Sequence, residues 1–411
     1  MPGLERLDAV VVGAGQAGLG VSHFLARAGI PHRVLERGRI GESWRSQRWD
    51  AFHMNTINAQ TLMPGQRCCG AEPEGFMTHH GWVSLLEAFA ATNRLPVESG
   101  TPVIEVTPED GGYRVATPRG ALLARNLVVA SGGQNCPRTP ALARTLQPGL
   151  RQVHTADYRN PATLPRGAVL VAGAGQSGCQ IAADLLDAGR TVYLATCRVG
   201  RLPRRYRGRD VVVWMHACGI ADARADELAD PSSRYRGQPQ IGPFRTISLQ
   251  SLSARGAVLL GRLLGTEGGE LRFADDLAEN MRAADAASAE MKSTVDAWIA
   301  RNGLEAPPPG PDPEEEAAPS LPDPPILALD PARAGISTVI WGTGFGGDFS
   351  WLRLGRVLDA RGDPVHAAGV GPHPGLFYTG LPWLTARKSA LVTGVAHDAP
   401  RVAALVAARC D

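Results

Sequence analysis

The sequence predicts an α/β protein with two Rossmann-like domains and a helical insertion. Two observations carry this prediction. A strand, a glycine-rich turn and a helix open the chain, with Gly13, Gly15 and Gly18 at G-x-G-x-x-G spacing. The same unit returns 160 residues later, beginning at Gly173. Apolar residues make up 44% of the 411 residues, which is enough for two domains with cores of their own.

The first unit ends at Glu36. The apolar run 9–12 predicts a buried strand, and helical periodicity follows the glycines. Gly13 makes the turn, Gly15 lets the backbone approach a pyrophosphate, and Gly18 lets helix and strand pack closely, while free N–H groups at the helix start face the phosphates. The carboxylate of Glu36 can accept hydrogen bonds from a ribose diol. We therefore expect a dinucleotide here.

The second unit differs from the first at the end of its second strand. Its phosphate loop predicts cofactor contacts at Gly173, Gly175, Gln176, Ser177 and Gly178. Thr196 stands where the first unit has Glu36, and Arg198 and Arg201 follow. Loss of the acid removes repulsion of a 2′-phosphate, which guanidinium groups can bind. The first site therefore suits FAD and the second NADPH, although the arginines could instead form a solvated loop.

The composition argues against a nucleic-acid-binding, membrane or secreted protein. The net charge is +2, which indicates neither a nucleic-acid partner nor a membrane partner. Seven cysteines without framework spacing fit a reducing compartment. The chain begins without a basic and apolar leader, and no apolar run approaches the ~20 residues of a membrane span. We expect a cytoplasmic protein.

The remaining elements follow in chain order. A helix is predicted over 81–94, and three strands with a turn at Gly111-Gly112 form a meander. The last of these strands ends in a loop containing Ser131 and Gly132. These elements complete the first part of the first domain, residues 1–165.

The second domain is expected over 166–325. Its insertion, about 200–305, contains one long helix or two joined helices over 270–302. The insertion is either structural padding or a dimer surface, or else a lid over a substrate site. The following tract, APPPGPDPEEEAAPSLPDPP, is expected to be an exposed linker that does not pack. Residues 326–411 return to the first domain and end in a helix from about 390.

These motifs resemble those of the flavin-containing monooxygenases, which include the plant YUCCA enzymes. The resemblance rests on both fingerprints and on the loops VVASGGQNCP and VIWGTGF, and it spans nearly the whole chain. RIGESW, RWDAF, HTADYRNP, YRGRDVV and GLPW are similar to a bacterial branch found beside nitrilase-type gene clusters. Such a protein has the glutathione-reductase-like fold. NADPH reduces its FAD, O₂ adds at flavin C4a, and the hydroperoxide passes one oxygen to a small-molecule substrate.

The resemblance implies roles for particular residues. An asparagine that faces the reacting flavin carbon is matched by Asn55 or Asn58. The positions implied to hold the two cofactors, beyond the second phosphate loop, are Gly13, Gly15, Gln16, Gly18, Glu36, Arg37, Gly41, Trp44, Ser131, Gly132, Arg198, Arg201, Thr343, Gly344, Phe345, Gly380 and Leu381.

The family motif F-x-G-x-x-x-H-x-x-x-(Y/F) is matched in part. The segment PGLRQVHTADY keeps His154 and Tyr158, but Pro148 and Leu150 replace the Phe and the Gly. Tyr158, where Baeyer–Villiger relatives have Trp, argues against that chemistry. His154 and Tyr158 are expected to contact substrate or to form a hinge between the domains.

The resemblance favours oxygenation of nitrogen or sulfur in a small metabolite, with N-hydroxylation preferred. YUCCA-like oxidative decarboxylation and Baeyer–Villiger oxygenation remain alternatives, as does an NADPH oxidase or redox-sensing flavoprotein. The adjacent Cys68 and Cys69 do not form a Cys-x-x-Cys dithiol, which argues against a disulfide reductase. His79-His80 has no partners at metal-ligand spacing, so no metal site is predicted. A homodimer is left open.

Overall fold

The computed structural model describes residues 4–230 and 237–410. Its α-helices are α1 (Gln16–Arg27), α2 (Glu42–Ser46), α3 (His79–Thr92), α4 (Gln176–Asp187), α5 (Val211–Ala217), α6 (Leu249–Ala254), α7 (Leu277–Arg301), α8 (Pro313–Glu316) and α9 (Val395–Ala407). Its strands are β1 (Arg6–Val12), β2 (His32–Leu35), β3 (Val97–Glu98), β4 (Glu105–Glu109), β5 (Gly112–Thr117), β6 (Gly120–Val129), β7 (Cys136–Pro137), β8 (Arg151–His154), β9 (Ala168–Ala172), β10 (Val192–Ala195), β11 (Arg205–Tyr206), β12 (Arg209–Asp210), β13 (Val258–Leu260), β14 (Leu263–Glu267), β15 (Glu270–Phe273), β16 (Ala328–Leu329), β17 (Ile336–Trp341), β18 (Phe345–Gly346) and β19 (Leu376–Tyr378).

The first sheet has the order β3-β2-β1-β6-β5-β4, and β19 pairs in parallel with the second half of β6. Strands β1, β2 and β6 are parallel, whereas β4, β5 and β6 form an antiparallel meander. The predicted meander is confirmed, and the helix predicted over 81–94 is α3. The carboxyl ends of β1, β2, β6 and β19 meet at one edge, where ligands bind to sheets of this kind.

The second sheet has the order β13-β10-β9-β17-β8 with every strand parallel. This arrangement corrects the predicted domain limits. Strands β8 and β17, expected in the first domain, pair in the second sheet. Five of the six residues of β17 are buried, as a strand covered on both faces requires. The insertion also contributes an edge strand, β13, so it is not a separate module.

Helices cover both sheets and share one continuous apolar core. Helix α9, the predicted C-terminal helix, packs against α1 at Gly20, where an added Cβ would lie 2.5 Å from Val395 Cγ1. Helix α7 confirms the long helix predicted over 270–302. Within 4–230 and 237–410, no helix is long and apolar enough to cross a membrane.

The proline-rich acidic tract was expected to stay unpacked, and for residues 312–320 this expectation is wrong. This segment, here called the acidic strap, contains α8. Asp312 accepts a hydrogen bond from Thr246 at 2.6 Å, and Arg201 pairs with Glu315, whose side chain is only 8% exposed. The strap packs because residues far away in the sequence supply the donors that its carboxylates need.

Candidate active site

The first phosphate loop connects β1 to α1. A Cβ on Gly18 would lie 1.9 Å from the Gly13 carbonyl oxygen, so helix and turn are in direct contact there. A Cβ on Gly15 would meet no atom of the described residues within 4 Å. Gly13 has φ +109°, a backbone conformation that glycine adopts without strain. The loop is therefore rigid at its two outer glycines and open at its middle one, as a pyrophosphate requires.

Glu36 lies at the end of β2, facing this loop. Its Oε2 accepts from the Ala14 N–H and its Oε1 from the Gly38 N–H, both at 2.8 Å. Ser131 Oγ and Gln47 Oε1 are buried without a hydrogen-bond partner among the described residues. A carboxylate, an open cradle and unsatisfied polar atoms at one sheet edge fit an FAD molecule.

Two further loops close around the first phosphate loop. Gly41, at φ +68°, donates its N–H to the Ala14 carbonyl at 3.0 Å, and Trp44 Nε1 donates to Gln16 Oε1 at 2.9 Å. From the C-terminal region, Gly380 lies so close to α1 that its Cβ would be 2.6 Å from the Ala17 Cβ. The structure thus brings Glu36, Gly41, Trp44 and Gly380 to the first phosphate loop, whereas Arg37 is exposed.

Arg48 packs against Trp44 of this site, and the sequence did not predict a role for it. Its guanidinium stacks over the rings of Trp44 and Phe52, at 4.6 Å and 5.3 Å from their centroids. Burial lowers the pKa of Arg48 to about 10, so the group still carries its charge at neutral pH. It places a cation next to the first phosphate loop. A lone arginine in an irregular segment gave no signal of this role.

The second phosphate loop connects β9 to α4 and has the same inner geometry. A Cβ on Gly178 would lie 1.8 Å from the Gly173 carbonyl oxygen. Its outer face is covered, however. The Gln238 carbonyl oxygen would lie 3.4 Å from a Cβ on Gly175, and it accepts the Gln176 N–H at 3.3 Å. The Gln238 carbonyl thus lies over the middle glycine of this loop.

The two predicted arginines of the second site have different environments. Arg198 is exposed, and its nearest carboxylate is that of Glu279 at 3.5 Å. Arg201 is 4% exposed and bonds Asp285 at 2.6 Å and Glu315 at 3.1 Å. The prediction that Arg201 binds a 2′-phosphate is therefore corrected, because carboxylates already occupy its guanidinium.

A third arginine joins this edge. Arg262 follows β13, which lies next to β10, and it is largely exposed with a carboxylate no nearer than Asp276 at 3.9 Å. Thr196 is already engaged, since its hydroxyl donates to the Leu260 carbonyl at 2.7 Å. The sequence did not reveal Arg262 because the pairing of β13 with β10 is a long-range contact.

Asn55 lies at the junction of the two domains. Its Oδ1 accepts from Gln180 Nε2 at 2.9 Å, and its carbonyl accepts from Arg204 Nη1 at 3.2 Å. Asn58 is turned into its own loop, where its Nδ2 donates to the Glu72 carbonyl at 2.8 Å. Of the two predicted asparagines, Asn55 is therefore the one that contacts the helix of the second phosphate loop.

Arg204, another arginine of the run that follows Thr196, is a buried anchor of this junction. Arg204 and Asp210 are each 2% exposed and form an ion pair at 2.6 Å. Burial lowers the pKa of Arg204, and the neighbouring Asp210 opposes that shift. Arg204 also donates to the Gly242 carbonyl at 2.9 Å and faces the Phe76 ring at 5.0 Å. The pair fixes the insertion against the segment that contains Asn55.

His154 and Tyr158 both bond to groups of the second domain. His154 Nδ1 accepts from the Ala156 N–H at 3.1 Å, so the ring proton is on Nε2, which donates to the Gly344 carbonyl at 3.1 Å. Burial lowers the pKa of His154, which keeps the ring neutral. The Tyr158 hydroxyl donates to Asp184 Oδ2 in α4 at 2.6 Å. These bonds hold the end of β8 against the loop after β17 and against α4. The role of the two residues as a hinge or a substrate contact stays a prediction.

The predicted loop after β17 lies between the two sheets. Thr343 Oγ1 donates to the Arg138 carbonyl at 2.5 Å, and the Phe345 ring meets the His154 ring edge-on at 4.9 Å. Strand β18 pairs with β7, which follows the Ser131–Gly132 loop. These residues join the edge of the first sheet to the second.

Comparisons with known proteins identify the family and the fold. Residues 10–214 match the family model of pyridine nucleotide-disulphide oxidoreductases. The chain is 30% identical over 396 residues to a CzcO-like oxidoreductase of Geobacillus kaustophilus, and the alignment covers 96% of each protein.

A plant enzyme and a solved bacterial structure are also similar to this chain. The indole-3-pyruvate monooxygenase YUCCA1 of rice, Oryza sativa, is 33% identical over 208 residues, which cover 46% of this chain and 48% of that enzyme. A flavin-containing monooxygenase structure from Stenotrophomonas maltophilia superposes with a TM-score of 0.68 at 20% identity, over 99% of this chain and all of that one. The chain belongs to the family of CzcO-like oxidoreductases, has the fold of the flavin-containing monooxygenases and is an FAD- and NAD(P)H-dependent oxidoreductase.

Proposed function

We propose that this monooxygenase transfers one oxygen atom of O₂ to a nitrogen or sulfur atom of a small metabolite, with N-hydroxylation favoured. The second oxygen atom leaves as water. NADPH and one proton supply the two electrons and two protons that this water requires. Bound FAD supplies the activation of O₂, and the protein holds the reactants and excludes water.

The environment of Asn55 carries this proposal. Its hydrogen-bond partners are an uncharged amide, Gln180, and a guanidinium, Arg204. The carboxylate of Asp210 is paired with Arg204, so it is not available as a base. A neutral amide donor suits a substrate whose reacting atom already has a lone pair, such as an amine or a sulfide.

Residues around the junction have supporting roles in this proposal. Gly15 and Glu36 hold the pyrophosphate and a ribose of FAD, while Gly175 and Gln176 hold the pyrophosphate of NADPH. Asn55 donates to the oxygen atom being transferred. His154 and Tyr158 hold β8, the loop after β17 and α4 together within the NADPH-binding domain.

An aromatic rim next to Asn55 supports a substrate with an apolar part. The Phe244 ring is 63% exposed and lies 4.8 Å from the His53 ring and 5.6 Å from the Phe76 ring. An exposed phenylalanine on top of two other rings is a surface that an apolar ligand would cover. We expect Phe244→Ala to raise KM for substrate several-fold, since a buried aromatic contact is lost.

The cysteines do not favour disulfide reduction. Burial raises the pKa of the Cys179 and Cys197 thiols, which keeps them protonated and unreactive. Cys68 and Cys69 are neighbours in a loop, and no disulfide joins cysteines within the part of the chain that the structure describes. The chain has no Cys-x-x-Cys dithiol for the flavin to reduce.

A second candidate is oxidative decarboxylation of a 2-oxo acid, which the YUCCA1 alignment supports over 46% of the chain. Incubation of the holoenzyme with NADPH, ¹⁸O₂ and a panel of amines, sulfides and 2-oxo acids separates the two. We expect one ¹⁸O atom per product with amines or sulfides. Labelled acids from 2-oxo acids would favour the second candidate, and hydrogen peroxide as the sole product would refute both.

A further inference from the structure

We propose that Gln180 is a positioning residue that orients the amide of Asn55, so that its Nδ2 donor faces the cleft between the nucleotide loops. This inference rests on the proposed function, in which Asn55 donates to the transferred oxygen. Gln180 lies in α4, one turn after the second phosphate loop, and it is 7% exposed. The sequence indicated no role for this residue.

The orientation of the Gln180 amide is fixed by a backbone group. A carbonyl oxygen can only accept a hydrogen bond, and the Ile241 carbonyl lies 2.6 Å from Gln180 Nε2. The amide nitrogen, and not its oxygen, must therefore face Ile241. The same nitrogen lies 2.9 Å from Asn55 Oδ1 and has a second hydrogen to donate there.

The orientation of Asn55 follows from that of Gln180. Because Gln180 presents a donor, Asn55 must present its oxygen, and its own Nδ2 points away from α4. Arg204 holds the Asn55 carbonyl at 3.2 Å, so backbone and side chain are both restrained. Gln180 thus donates to both the Ile241 carbonyl and the Asn55 side-chain oxygen, and these two bonds fix the orientation of both amides.

The orientation of the Asn55 amide has a chemical consequence. An N–H group stabilises a partly negative oxygen atom in a cleft, whereas a carbonyl in the same place repels it. Gln180 comes from α4 of the second domain, while Asn55 comes from the segment that follows α2 of the first domain. The donor is therefore aimed only when the two domains are in contact.

The test is Gln180→Glu, which keeps the shape but cannot donate from its ionised carboxylate. Asn55 is expected to turn over and donate to the introduced carboxylate, so that its oxygen faces the cleft. We expect product formed per NADPH to fall about tenfold or more, on the scale of losing one such donor. Hydrogen peroxide should rise to match, with NADPH consumption changed less than about twofold.

A matched control is Gln152→Glu in β8. Gln152 makes the same kinds of bond, since its Nε2 donates to the Ala143 carbonyl and its Oε1 accepts from the Trp341 indole, each at 3.0 Å. It lies away from the cleft, so product yield should match the wild type. In the double variant Asn55→Ala/Gln180→Glu, the second change should have no further effect on yield. Independent, multiplying losses would overturn the proposal.

A spectroscopic readout separates this inference from the proposed function. NADP⁺ titrated into the oxidised holoenzyme perturbs the flavin absorbance, and we expect Gln180→Glu and Asn55→Asp to change that difference spectrum in the same way. This measurement needs no substrate, so it stays decisive even if no amine or sulfide is oxygenated. A Gln180→Glu spectrum identical to that of the wild type would refute the positioning role.

Discussion

The two phosphate loops of this protein have almost the same geometry and different surroundings. The close contacts that define each turn agree, at 1.9 Å for a Cβ on Gly18 and 1.8 Å for one on Gly178. Gly15 faces open space, whereas Gly175 faces the Gln238 carbonyl. The glycine pattern therefore builds the turn, and residues from distant parts of the chain determine how accessible it is.

The strand ends that follow the two loops differ as well. Glu36 presents a carboxylate that accepts two backbone N–H groups next to the first loop. At the second, Thr196 is bonded to neighbouring strand and helix, and the acidic strap neutralises Arg201. The first repeat thus presents a carboxylate that can bind a ribose. In the second repeat, the charge of Arg201 is already paired with carboxylates of the protein.

The largest effect is expected from the outer and middle glycines of the first loop. Gly18→Ala should prevent folding, because a Cβ would overlap the Gly13 carbonyl. Gly15→Val should fold but purify without FAD, since its side chain enters the space reserved for the pyrophosphate. Flavin absorbance and circular dichroism measure both results. A yellow Gly15→Val protein would contradict the assignment of the first site.

A second test compares Arg201 with Arg198. Arg201→Ala should destabilise the protein by about 3–5 kcal/mol, because Glu315 and Asp285 lose their buried cation. Arg198→Ala should cost less than about 1 kcal/mol, since its ion pair is exposed. Denaturant unfolding of the apoproteins measures the difference. Equal losses would mean that the strap does not depend on Arg201.

The exposed Arg198 and Arg262 test the predicted binding of the 2′-phosphate at the second site. Arg198→Ala and Arg262→Ala should each raise Kd for NADP⁺ roughly tenfold, the effect of losing a charged hydrogen bond, and leave Kd for NAD⁺ unchanged. Calorimetric titration of the oxidised holoenzyme gives both constants. Parallel changes for NADP⁺ and NAD⁺ would place the 2′-phosphate elsewhere.

The smallest expected effect is a loss of folding stability at low pH. Burial lowers the pKa of His32, His79 and His154 below the ordinary value of 6.5. The unfolded chain therefore takes up protons first, so stability is complete above pH 6.5 and declines as pH falls through the lower folded values. Tm should fall between about pH 7.5 and pH 5.5, and less in His154→Gln. An unchanged pH dependence in that variant would show that His154 is not neutral in the fold.

Much of the frame could be predicted from local signals. The two glycine units, the meander and helices α3, α7 and α9 follow from turn chemistry and periodicity over a few residues. Residues of the first site also met as predicted, because the carboxyl ends of parallel strands share one edge. The sheet to which β8 and β17 belong could not be predicted, since an apolar strand does not specify its neighbours.

Local sequence is sufficient to establish two dinucleotide units, because tight turns and close helix–strand contacts need glycine at particular positions. Which polar groups meet depends on tertiary contacts. These contacts select Asn55 over Asn58 through Gln180, bury Arg201 against the acidic strap and place Arg262 beside β10. Buried polar groups must find partners, and those partners come from residues that are distant along the chain.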